Sequence, residues 1–204
     1  MTAWRHARRC AAGEPESWGL FLICDADMEC PQTNSAVNVE VVPALLEQAP
    51  IVANLLELYV YDFSELVDLR LGADGRFGYA QLTLYWEEPG RYPFLIRVDA
   101  HWAGFVFARK GSQISGDDDI WDMAEFFVLR GYRRLGIGTR VAHEVWKRLP
   151  GKWEVRVRSL NTKASDFWRA AISEFMGEAV GPTAFEKNGV DWFVFSFESC
   201  ARPD

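Results

Sequence analysis

The chain of 204 residues is 49% apolar and 25% charged, enough for one compact domain with a sizeable core. Its formal net charge of −7 excludes a dedicated nucleic-acid-binding protein, whose surface would be basic overall or over one whole face. No run nears the roughly 20 apolar residues of a membrane-spanning helix, so no membrane partner is expected, and nine Trp, fourteen Phe and six Tyr point to a strand-rich core.

Residues 1–35 read as a poorly constrained extension ahead of a domain over 36–199, with 200–204 as a tail. Arg5, Arg8 and Arg9 precede an apolar patch, Trp18 to Cys24, in the order of a signal peptide. Glu14 and Pro15 interrupt the approach, however, and acids follow where a small-residue cleavage site belongs. A cytoplasmic location follows by elimination. The four cysteines, Cys10, Cys24, Cys30 and Cys200, lie at or beyond the domain margins, and Cys24 and Cys30 have no nearby histidine. Neither a disulfide framework nor a metal site is expected.

Val37 to Val41 alternates apolar and polar residues and predicts the first strand. Leu45, Leu46, Ala49, Val52, Ala53, Leu56 and Tyr59 then recur at helical spacing, with Pro50 in the first turn. Asp74 to Tyr79 reads as loop, followed by a short apolar piece to Trp86. Tyr92 to Val98 and Ala103 to Lys110 predict antiparallel strands joined across Asp99 to Trp102, and Gly111 to Asp119 an acidic loop. Trp121 to Leu129 is a central strand, and Thr139 onward an amphipathic helix stopped by Pro150-Gly151. Trp153 to Val157 predicts a strand, Lys163 to about Phe175 a helix, and Lys187-Asn188-Gly189 a hairpin turn between two last strands. The fold class is therefore α/β (α+β) with a mixed sheet.

The strand–glycine loop–helix unit from Trp121 is an anion site on physical grounds, because a first helical turn presents unpaired N–H groups and partial positive charge. From Gly131 the spacing to Gly136 suits a Walker loop, but Ile137-Gly138 stands where Lys-Ser/Thr is required. A dinucleotide fingerprint fails because Val141 occupies the third glycine position. Charge agrees with an anionic ligand: Arg130 to Arg169 holds eleven Lys or Arg against three acids, +8, leaving −15 on the rest.

Arg133-Arg134-Leu135-Gly136-Ile137-Gly138 resembles the Arg/Gln-x-x-Gly-x-Gly/Ala signature of the GNAT superfamily of N-acetyltransferases. Asn161, Ala164, Phe167 and Trp168 resemble its Asn-x-x-Ala-x-x-(apolar)-Tyr segment, and the strand Glu125 to Leu129 before the loop looks most like a bacterial group of acetyltransferases with undefined substrates. The resemblance implies the GNAT fold and acetyl-coenzyme A (acetyl-CoA) as cosubstrate. It implies binding residues Val128, Leu129, Arg130, Arg133, Arg134, Leu135, Gly136, Ile137, Gly138 and Thr139, with Asn161, Phe167 and Trp168 along the coenzyme arm. It further implies a small-molecule or peptide amine as acceptor, and a homodimer is common in the superfamily.

Acetyl transfer needs a base for the amine, a donor for the developing oxyanion and an outlet for the thiolate. The resemblance implies a backbone N–H near Val128 as donor. Asp122 occupies the base position of histone-type members, and Glu125 is the rival; strand alternation puts the two on opposite faces unless a bulge intervenes. Where many members carry a tyrosine acid, this chain has Trp168, whose indole is no useful acid. Water or another tyrosine must then serve; Tyr59, Tyr61 and Tyr132 are candidates, and His101 and His143 read as incidental. Asp62, Glu65, Trp86 and Trp192 are candidates for an acidic, aromatic pocket for a cationic amine. The alternative function is a catalytically silent acyl-CoA-binding or sensing module.

Overall fold

A computed structural model describes residues 37–200, which lie within the second of two units of the chain, Ala36–Asp204. The expectations for residues 1–35, including the signal-like segment, Cys10, Cys24 and Cys30, fall outside the described residues, as does the tail from 201 to 204. Cys200 is exposed and unpaired among the described residues. None of the described helices is long and apolar enough to cross a membrane.

Seven strands form one mixed sheet: β1 (Val39–Pro43), β2 (Arg91–Val98), β3 (His101–Lys110), β4 (Trp121–Val128), β5 (Gly151–Arg158), β6 (Thr183–Lys187) and β7 (Val190–Ser199), in the order β1-β2-β3-β4-β5-β7-β6. Only β4 and β5 run parallel. They are joined by helix α3 (Ile137–Arg148), as a parallel pair requires. The other helices are α1 (Ala49–Phe63), the single turn α2 (Leu84–Glu87) and α4 (Thr162–Met176). Pro50 lies in the first turn of α1, where its missing N–H removes no helical hydrogen bond.

Alternation along the strands divides the core between the two faces of the sheet. Val52, Leu55 and Leu56 of α1 and Tyr85 of α2 pack on Leu95, Phe105, Phe107 and Phe127. On the opposite face Val141, Val145 and Trp146 of α3 and Trp168 and Ile172 of α4 cover Ile96, Val106, Trp153, Val155 and Phe195. Trp146 is fully buried, with Phe197 edge-on at 4.9 Å and Phe175 at 5.2 Å. Each such large side chain contributes about 2 kcal/mol or more by leaving water. His143 bridges the two helices on this side, Nε2 lying 2.8 Å from the Ala171 carbonyl.

Two two-residue hairpin turns have both central residues at positive φ. Asn188 and Gly189 (55° and 73°) form the one that their sequence announces. Asp99 and Ala100 (46° and 67°) form the other, so β2 and β3 run closer to their turn than the expected Asp99–Trp102 connection.

Candidate functional site

The sheet is split along one seam. β4 and β5 pair only at Trp121↔Trp153 and Asp122↔Glu154, whereas β3 and β4 pair along nearly the whole of β4. Past Asp122 the two parallel strands diverge, and the β5-facing backbone of β4 has no ladder partner. Leu129 N–H donates to the Ala103 carbonyl at 2.8 Å, and Val128 stands opposite Gly104. Antiparallel alternation therefore turns the Val128 N–H away from β3 and into the gap. The Val128 carbonyl accepts from Arg133 Nε at 2.7 Å.

The turn beyond Val128 ends at Gly136, the N-cap of α3, with φ of +73° and nothing within 4 Å of where a Cβ would lie. The first helical bond in α3 is Arg140 N–H to the Gly136 carbonyl, 3.1 Å. Among the described residues nothing accepts from the N–H groups of Leu135, Gly136, Ile137, Gly138 and Thr139. These converging donors beside an open seam fit a pyrophosphate with an extended arm, the chemistry expected of a coenzyme A derivative. Gly138 has a different reason: a Cβ there would meet the Phe167 ring at 3.1 Å, so its lack of a side chain lets α4 approach α3.

Arg130 and Arg133 do not extend freely toward an anion. Both bind Asp62 of α1, at 2.6 Å and 2.5 Å. Burial pushes the Asp62 carboxyl up, but the Arg133 and Arg130 guanidiniums outweigh it and hold it below its ordinary value. Glu65 is 3.6 Å from Arg130 and largely exposed. Arg134 has a positive φ of 65°, and Leu135 is 63% exposed at the tip of the turn. Asn161 caps α4, its Oδ1 accepting from Ala164 N–H at 3.1 Å. Phe167 stacks on Phe126 at 5.8 Å, and Trp168 is buried edge-on to Phe126 at 5.0 Å.

On the α1 face of β4 the register shifts between Phe107 and Ala108: Met123 and Glu125 pair with successive residues of β3, and Ala124 is extra. This bulge places Asp122 and Glu125 on the same face rather than opposite ones. Asp122 is fully buried beneath two guanidiniums, accepting from Arg109 at 2.8 Å and Arg156 at 2.9 Å. Glu125 instead accepts from Tyr59 of α1 at 2.6 Å and from Tyr79 at 3.0 Å. Burial pushes its carboxyl above the ordinary value, although the two phenol hydrogen bonds favour the charged form. Tyr59 and Tyr79 are both pushed up, first by burial and then by the nearby Glu125 charge.

Tyr79 is the residue that sequence reasoning missed, because it sits in a glycine-rich loop without periodicity. Glu57 of α1 holds that loop, accepting from Phe77 N–H at 2.8 Å and Gly78 N–H at 3.0 Å. Of the other tyrosines considered, Tyr61 is 61% exposed and Tyr132 packs toward the α3 face. The expected acidic pocket does not assemble. Asp62 is bound to arginines, Trp86 donates to the Ala44 carbonyl at 2.8 Å, and Trp192 has Arg156 and Arg158 over its ring at 5.6 Å and 5.3 Å. Among the described residues no cluster of His, Cys, Asp or Glu could hold a metal ion.

The model of the Acetyltransferase (GNAT) family matches residues 56–171. None of the curated proteins matches the chain. Among solved structures, an acetyltransferase from Thermus thermophilus is 16% identical over 79% of this chain and 97% of its own, with a TM-score of 0.59. The aminoglycoside acetyltransferase AAC(6')-Ib, in complex with coenzyme A, is 10% identical over 79% and 95%, with a TM-score of 0.60. The yncA protein of Salmonella typhimurium, with its cofactor acetyl-CoA, is 13% identical over 81% and 98%, with a TM-score of 0.52. At these identities the likeness is one of fold.

Proposed function

The chain belongs to the Acetyltransferase (GNAT) family, and from that premise we propose that it transfers an acetyl group from acetyl-CoA to a primary amine of a small molecule or peptide, by direct attack in a ternary complex. When bound, acetyl-CoA supplies an activated thioester. The free N–H groups from Leu135 to Thr139 hold its pyrophosphate, and the seam between β4 and β5 receives the arm. The Val128 N–H donates to the acyl oxygen as negative charge builds on it.

Glu125 is the general base. A carboxylate with raised proton affinity, reached from the same strand that carries Val128, is suited to take the proton of an attacking amine. The new C–N bond forms as the C–S bond breaks, Glu125 keeps the amine proton, and the thiolate departs. Asp122, with both oxygens engaged by guanidiniums, is a positioning residue for Arg109 and Arg156. No side chain serves as acid: Trp168 cannot, and burial makes the Tyr59 and Tyr79 phenols still weaker acids than usual. Water protonates the thiolate.

The observation that carries this reading is Glu125, hydrogen-bonded by two tyrosines, three residues before the free N–H of Val128 at the open edge of β4. Its test is a thiol-release assay with acetyl-CoA over polyamines, aminoglycosides, amino acids and peptide N-termini. Turnover on at least one amine is expected. Tight acetyl-CoA binding with no turnover on any of them would favour the acyl-CoA-binding or sensing module, the reading that Trp168 supports.

A further inference from the structure

The α1-side face of β5 carries Glu154, Arg156 and Arg158, alternating with the core residues Trp153, Val155 and Val157. Arg156 reaches across the seam to Asp122. Arg158, two residues farther toward the open end of the seam, stands opposite Trp192 in the ladder with its guanidinium over that ring at 5.3 Å. Its Nε is buried, and no acceptor lies within reach of it among the described residues. Leaving such a donor unsatisfied is costly, all the more for a charged group.

Nearby carboxylates are already engaged. Asp122 is held by Arg109 and Arg156, Glu125 by Tyr59 and Tyr79, and Glu154 by the Ser112 hydroxyl at 2.5 Å. None of them forms an ion pair with Arg158. On the sheet face that also carries Glu125, Arg158 thus presents a ring-stacked, planar guanidinium fork with no internal anion. A carboxylate or phosphate matches that fork in two parallel hydrogen bonds, and a polycation would meet repulsion instead.

We infer that the acceptor amine carries an anionic group, a carboxylate or a phosphate, which docks on Arg158 while its amino group faces Glu125. This deepens the transferase reading and rests on it for the direction of the amine. It also reverses the charge that the sequence suggested for the acceptor: amino-acid-like amines or amino phosphates are accepted, and polyamines are refused.

The full-length protein decides the matter in a thiol-release assay with acetyl-CoA. The probes are the common amino acids, their carboxamides, phosphoethanolamine, ethanolamine and spermidine. The acids, or phosphoethanolamine, are expected to exceed their uncharged partners in kcat/KM, and which of the two does so identifies the anion. Arg158→Gln should raise the acceptor KM by roughly 10- to 100-fold, the loss of a hydrogen-bonded charge, with the KM for acetyl-CoA unchanged. Arg158→Lys, which keeps the charge without the fork, should fall between. Equal or better use of the carboxamides, ethanolamine or spermidine would overturn the inference and leave the transferase reading intact. If no amine turns over, that reading fails, and calorimetric titration of the same probes into protein saturated with coenzyme A decides in its place. Binding of acids or phosphoethanolamine that Arg158→Gln abolishes would uphold the anion site, and binding indifferent to charge or to Arg158 would overturn it.

Discussion

The turn from Leu129 to Gly136 and the cluster around Glu125 are built on the same strand, one beyond its end and one within it. The turn works through backbone N–H groups, so what it requires of the sequence is local: residues able to hold a positive φ at positions 134 and 136 (65° and 73°) and a helix that starts immediately after them. The cluster works through side chains from α1, the loop before α2, and strands β3, β4, β5 and β7, brought together by packing over separations of up to 66 residues. A backbone site tolerates any side chain that leaves its φ and ψ alone. A side-chain site fails one residue at a time, and by an amount that depends on what each residue touches.

The sharpest break in that comparison is Glu125→Gln. It should lower kcat/KM by roughly 10²- to 10⁴-fold and leave acetyl-CoA affinity unchanged, as measured by initial rates and by titration. In the parent protein, activity should be lost as pH falls through the raised Glu125 value, because the protonated carboxyl cannot accept the amine proton; the variant should lack that limb. Stability moves the other way. A carboxyl raised on folding carries a penalty that is absent below its unfolded value and fully present above its folded one, so Glu125→Gln should not lower Tm at neutral pH.

Asp122→Asn comes next. It strips the anion from beneath two guanidiniums at a fully buried position and should cost about 3 kcal/mol in urea unfolding. The turn is broken most directly by Gly136→Val. A β-branched residue at positive φ costs about 1–3 kcal/mol, which should weaken acetyl-CoA binding by at least about tenfold with little change in far-ultraviolet circular dichroism. Tyr79→Phe should cost about 1 kcal/mol and shift the acidic limb of the rate profile upward, because the lost hydrogen bond favoured the ionised carboxyl. Gly138→Ala is the mildest: the Phe167 ring must give by a few tenths of an ångström, and the effect on Tm should be smaller than that of any other change.

The legibility of the sequence follows the same division. Strand alternation, the amphipathic stripe of α3 and the Asn188-Gly189 turn could be read directly, because each is set by neighbouring residues. The Asp99–Ala100 turn is legible only as a longer connection, Asp99 to Trp102, since alanine does not announce a positive φ. The Ala124 bulge has no composition of its own, and it alone decides that Asp122 and Glu125 share a face. Tyr79 was hidden for a related reason: its loop is ordered by one carboxylate of α1, Glu57, and not by any pattern within the loop. Arg130 and Arg133 are legible as basic residues of the turn, but no local pattern pairs them with Asp62, which lies on α1, 68 and 71 residues earlier in the chain.

The seam between β4 and β5 has a mechanical consequence. Two residue pairs set the angle at which the strands diverge, and the Trp121–Trp153 stack and the Asp122 ion pairs brace that point. Val128 lies six residues farther along β4, about 20 Å at ~3.3 Å per residue, so it sits at the end of a lever pivoted at Asp122. A rotation of about 3° at the pivot carries Val128 by about 1 Å, a displacement of the size that costs about a hundredfold in rate when reacting groups must align. Residues at the closed end of the seam, six positions from Val128, thereby set where the Val128 N–H stands relative to β5, and in the proposed reaction the distance across which the acetyl group moves.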